Sequence, residues 1–151
     1  PWRLAGLALV VLLAIGLKIY WPERSTDVAG RESAELAQNL SGRWVAQVKY
    51  DWGAEHAERF ELRWANGEVH GTASYLGVAR MVEQGRQEGG QVSFITHSQE
   101  VLGEGASREV THRYRGVFKQ GEWHFGLESS GGHTAHTPVE FVARRPVERA
   151  P

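Results

Sequence analysis

The chain has 151 residues, with 17 Lys and Arg against 18 Asp and Glu, a formal net charge of −1. That length suits about one domain, and the charge balance lacks the basic face that a nucleic-acid binder presents. Cysteine is absent, which excludes disulfides, thiolate metal sites and thiol nucleophiles.

The N-terminus carries the first element. Leu4 to Leu17 reads LAGLALVVLLAIGL without a charge, and Ile19, Tyr20 and Trp21 extend it. With Lys18 snorkelling, the stretch is about 18 residues, close to the roughly 20 that span a bilayer. Trp2, Tyr20 and Trp21 stand at the levels of interfacial aromatic belts, and Pro22 ends the helix. Lys18-Ile19-Tyr20-Trp21-Pro22 makes a poor cleavage site, so the segment reads as a retained anchor over residues 1–21 and not as a signal peptide. Lys18, Arg24 and Arg31 follow the span, and a count of positive residues alone places the C-terminal side in the cytoplasm. A short tail, one span and a β domain form the usual plan of a bacterial signal anchor. The expectation is a single-pass inner-membrane protein with a periplasmic β domain.

Residues 22–39 read as a linker: ERSTDVAG is polar, and Arg31 to Asn39 holds helix formers for two turns. From residue 40 to 145 the pattern is strand, turn, strand, and residues 146–151 form a tail. The strand candidates are residues 42–50, 58–64, 68–75, 78–84, 91–97, 110–118, 122–128 and 139–144. Asn66-Gly67 and Gln120-Gly121 each join two alternating runs and mark tight hairpins. Eight short sequential strands predict an all-β, antiparallel up-and-down barrel, which removes exposed sheet edges. A two-sheet sandwich is the alternative.

Alternation assigns the faces. Trp44, Ala46, Val48 and Tyr50 share one side of the first strand, and Phe60, Leu62 and Trp64 pair with Val69, Ala73 and Tyr75. Tyr114 and Phe118 face Trp123, Phe125 and Leu127 across the next hairpin. So many rings predict a largely filled barrel with room only at its mouth. Connections alternate between the two ends. The long ones gather where the first strand finishes, and the tight turns gather where the chain enters.

The run Leu40-Ser41-Gly42-Arg43-Trp44, opening the first strand after a short helical stretch, resembles the Gly-x-Trp signature of lipocalins and the wider calycins. The resemblance covers residues 40–145. It implies a lipocalin-like barrel in which an Arg from the last strand packs over the Trp and closes the base. Arg145, on the parity of Val139, Phe141 and Ala143, takes that part, so Trp44 and Arg145 are expected to meet.

Candidate functional residues lie at the other end. His112 has inward parity near the mouth, at the level of Tyr50 and Tyr75, and the three can hold the polar end of a small ligand. The plainer alternative is a satisfied polar cap on the core. Trp52 follows in the adjoining loop and is a candidate contact for ligand or partner. His133-Thr134-Ala135-His136 lacks the third ligand a metal site needs. The chain has no Gly-x-Ser-x-Gly elbow and no phosphate-binding Gly loop before a helix. The carboxylates fall mostly on outward positions or loops. No catalytic residue, metal or cofactor is assigned.

The functional expectation is a non-enzymatic accessory subunit or docking module. Its partner is an integral membrane complex in the same membrane, and residues 4–21 contact the lipid bilayer. The alternative is a tethered lipocalin-like binder of a small apolar ligand.

Overall fold

The computed structural model describes residues 40–148 together with Val28, Gly30, Arg31, Ala34 and Glu35. The expected anchor over residues 4–21 lies outside the described residues. The chain divides into two units, residues 1–31 and 32–151. The first contributes Val28, Gly30 and Arg31, all in helical backbone; Ala34, Glu35 and Leu40 of the second are helical too.

The second unit is an antiparallel β-barrel. Its strands are β1 (Gly42–Lys49), β2 (Glu55–Ala65), β3 (Glu68–Tyr75), β4 (Val78–Met81), β5 (Glu83–Glu88), β6 (Gln91–Glu100), β7 (Arg108–Lys119), β8 (Glu122–Gly131) and β9 (Val139–Ala143). They run β1-β2-β3-β5-β6-β7-β8-β9 around the sheet, with β4 paired to β3. β9 returns to β1, where Val45 and Arg144 exchange two backbone hydrogen bonds of 2.8 Å. The nine segments therefore make eight staves.

The expected single strand over residues 78–84 is instead the broken pair β4 and β5. Gln84 has φ 52°, and the pairing with β6 slips between Glu83 and Arg86. The Val82 amide donates to the Gly71 carbonyl at 2.9 Å and stitches the break to β3. A residue with positive φ cannot continue a flat ladder, so the stave bends there.

Three two-residue turns share one geometry. Asn66-Gly67, Leu76-Gly77 and Gln120-Gly121 all have positive φ at both positions, the twist-matched hairpin turn. The first and third lie at the end where β1 begins, beside the turn over residues 89–90. Leu76-Gly77 lies at the opposite end, with the longer connections over residues 50–54, 101–107 and 132–138.

Inward positions change character along the axis. At the base Trp44 meets Trp123 and Phe118 edge-on, each with centroids 6.3 Å apart. In the middle Phe60, Phe125 and Phe141 stack within 5.7 Å of one another, and Phe94 stacks on Tyr114 at 4.7 Å. These rings are buried and fill the barrel's waist. Toward the mouth the same inward parity carries Glu58, Thr96, Ser98 and His112, all buried.

Candidate functional site

A pocket of about 640 Å³ opens at the mouth, a size ordinary for a small-molecule site. β3 supplies Tyr75, β4 supplies Val78 and Arg80, β6 supplies Ser98 to Glu100, and β7 supplies Val110 and His112. The loops add Asp51, Trp52, Leu76 and residues 134–136.

His112 forms the floor and is fully buried. Its Nε2 lies 2.8 Å from Ser98 Oγ, and its Nδ1 lies 2.8 Å from Ser129 Oγ. Burial, reinforced by the charge of Arg80, lowers its pKa from 6.5 to about 4. The ring is therefore neutral at physiological pH, so one serine accepts its N–H and the other donates to its bare nitrogen. A hydroxyl 2.8 Å from an imidazole is the spacing of an activated nucleophile. However, a base with a pKa near 4 takes protons poorly at neutral pH, and a serine, not a carboxylate, holds its far side.

The four residues singled out from the sequence form one aromatic column. Trp52 stacks on Tyr50 at 4.7 Å, Tyr50 meets Tyr75 edge-on at 5.2 Å, and Tyr75 stacks on His112 at 3.7 Å. Three of them face the pocket. Tyr50 stands behind it, 3% exposed, and supports the others from the core side. Trp44 and Arg145 lie at the opposite end. The Arg145 guanidinium carbon is 4.0 Å from the Trp44 ring centroid, and its Nη2 donates to the Ser41 carbonyl at 2.8 Å.

Glu58 is the carboxylate that parity should have found. It alternates with Phe60 and Leu62, and it is 1% exposed. Tyr50 Oη donates to it at 2.7 Å, Ser74 Oγ donates to its other oxygen, and the Gly77 amide donates at 3.1 Å. The Leu76 amide donates to Tyr50 Oη at 3.3 Å. A buried acceptor this well supplied fixes the Leu76-Gly77 turn at the rim. Burial and the neighbouring Glu58 push the Tyr50 hydroxyl's pKa well above its usual value.

The loop over residues 132–138 finds acidic partners in Asp51 and Glu100. His136 Nδ1 pairs with Asp51 at 3.3 Å, and Asp51 also accepts from the Thr137 amide at 2.9 Å. Glu100 accepts from Thr134 Oγ1 and from the His133 amide, each at 2.6 Å. Those bonds, the Thr134 hydroxyl's first, hold its carboxyl down at about 2. His133 turns its ring to the Ala106 carbonyl at 2.9 Å. The two histidines thus serve different partners, and among the described residues no three His, Asp or Glu side chains gather to hold a metal.

Arg80 completes the wall from β4. It shares parity with buried Val82, which aims it inward, and its Nε is buried without a hydrogen-bond partner. No protein family, curated protein or solved structure matches the chain, so the site is read from its own geometry.

Proposed function

We propose that the chain is a tethered, non-enzymatic binding barrel that takes one small, largely apolar molecule in its mouth. Residues 4–21 act as the anchor, a single span of a bacterial inner membrane, with the barrel on the periplasmic side. The observation that carries the reading is the pocket above a packed waist. An aromatic and aliphatic wall of Trp52, Tyr75, Leu76, Val78 and Val110 surrounds a floor of neutral His112 and Ser98. Apolar walls with a few convergent polar groups are the usual makeup of a small-molecule site.

A second feature supports the reading. Leu76 occupies a left-handed position, φ 52°, where the tight turns at the base carry Asn66 and Gln120. That backbone disfavours ordinary side chains, and local strain of this kind gathers at binding sites. Here it sets an apolar side chain on the pocket rim.

The docking reading rests on the same end of the barrel. Trp52, Val78, Val101 and Leu102 are all exposed on mouth-side segments. Clustered apolar groups on a surface favour a protein partner, here an integral membrane complex with the chain as its accessory subunit.

Purification of the full chain from its own membrane in mild detergent, followed by mass spectrometry, separates the two. A co-purifying small organic molecule that is lost in a His112→Ala variant supports the binder. A stoichiometric membrane protein that persists in that variant favours the docking subunit and sinks the first reading.

A further inference from the structure

We propose that the mouth pocket selects a singly charged organic anion, an apolar body bearing one carboxylate, and that Arg80 binds the charge. This rests on the pocket reading above and gives its ligand a chemical class.

Arg80 sits on β4 opposite Ala73, two residues before buried Val82, so its side chain enters from the wall and lines the pocket. Its Nε is out of contact with solvent and donates to nothing, and Arg80 makes no hydrogen bond or ion pair with any described residue. A guanidinium can only donate, and a buried donor left unmade is expensive. Its charge nevertheless reaches the pocket floor, where it helps to lower the pKa of His112. Arg80 as a whole is only half-buried and lines the pocket, so the wall presents an unspent guanidinium beside a ring that stays neutral and competes for no anion.

The two carboxylates on the pocket do not fill this role. Asp51 is held by the Thr137 amide and His136, and Glu100 by Thr134 and the His133 amide. Both are tied to the loop over residues 132–138, and their charges stay on the pocket lining. A ligand with two negative charges meets two carboxylates and one arginine, whereas a single carboxylate matches the planar fork of Arg80 without that repulsion. Beneath His112 the waist is closed by Phe94 and Tyr114. The apolar body consequently lies across the mouth against Val78 and Leu76 and does not run down the axis.

The test titrates the full chain, held in lipid nanodiscs, with 4-phenylbutyrate and with its uncharged analogue 4-phenylbutyramide. Heats are corrected with empty nanodiscs. The acid is expected to bind at least about tenfold more tightly than the amide, the size of one charge-assisted pair. Arg80→Met should remove that preference so that the two probes bind alike, and Arg80→Lys should keep part of it. Equal binding of acid and amide to the unsubstituted chain overturns the anion assignment and leaves the pocket standing. A preference that survives in Arg80→Met overturns the role of Arg80. Binding of neither probe overturns the inference together with the pocket reading beneath it. Should Arg80→Met fail to fold, the acid-to-amide comparison on the unsubstituted chain and on Arg80→Lys decides the matter.

Discussion

Arg145 lays its guanidinium over the indole of Trp44, 4.0 Å from ring centroid to Cζ, across 101 positions of sequence. The contact sits beside the closure of the barrel, where Arg144 and Val45 join the last strand to the first. It also caps the chain entry, since Arg145 donates to the carbonyls of Ser41 and Arg43 and the Trp44 indole N–H donates to Leu40. Gly42 takes φ 115°, and a Cβ there meets the Arg145 guanidinium. The backbone therefore requires the glycine of the Gly-x-Trp run, and a side chain there would displace the guanidinium from its place.

Replacing Arg145 with Ala should cost about 1–2 kcal/mol, the sum of an exposed cation–π contact and its hydrogen bonds. For a barrel of this size that lowers the melting temperature by roughly 4–16 °C. Thermal unfolding followed by tryptophan fluorescence reads it. An unchanged midpoint shows that the contact is incidental to closure.

Much of this end was legible in the sequence. Period-two alternation placed Trp44, Phe60, Tyr114, Trp123 and Phe125 inside, and Asn66-Gly67 and Gln120-Gly121 fixed two hairpins. The lipocalin resemblance, which no comparison extends to membership, supplied Arg145 as a candidate to cover Trp44. The mouth was less legible, for physical reasons. The break at Val82 to Gln84 arises from one left-handed residue that pattern alone does not announce. The Asp51–His136 pair joins loops 85 positions apart. Glu58 and Arg80 were readable by parity with Phe60 and Val82. Their charge argued for solvent, and burial of a charged group is rare enough to mislead.

Glu58 tests how much the rim depends on one carboxylate. Glu58→Ala strands the Tyr50 hydroxyl and the Gly77 amide away from an acceptor. Each buried neutral donor left without an acceptor costs about 1–3 kcal/mol, so losing the set should cost about 2–5 kcal/mol. Tyr50→Phe, which leaves Ser74 and Gly77 on the carboxylate, should cost only about 1 kcal/mol. Urea unfolding of both variants checks the ratio. Equal losses in the two would mean that the hydroxyl, not the carboxylate, organises the turn.

His112 gives the barrel an acid-side weakness. Its pKa is about 4 in the folded chain and 6.5 without the fold, so between those values the unfolded chain binds more protons. Stability contributed by the neutral ring is full above about 6.5, falls as the pH drops, and levels off below about 4. The difference amounts to on the order of 3 kcal/mol. Denaturant titrations at pH 7 and pH 4 on the parent chain and His112→Gln isolate it, since the other histidines are common to both. A parent chain that loses no more than the variant would mean that His112 is charged, or free to charge, within the fold.

Leu76 joins stability to binding in a single residue. A left-handed backbone costs an ordinary side chain about 1–2 kcal/mol, and Asn tolerates it. Leu76 is 37% exposed and stands outside the buried core cluster, so core packing offsets only part of that cost. Leu76→Asn should therefore raise stability by up to about 1 kcal/mol. The same change removes apolar surface from the pocket rim, which at about 0.8 kcal/mol per buried methylene should weaken binding of an apolar probe severalfold. Melting temperature and 4-phenylbutyrate affinity, measured on one preparation, should move in opposite directions. If both fall, Leu76 is a packing residue of the barrel and its conformation carries no sign of the pocket. If stability rises and affinity holds, the ligand lies deeper, toward Ser98 and His112, and does not reach the rim.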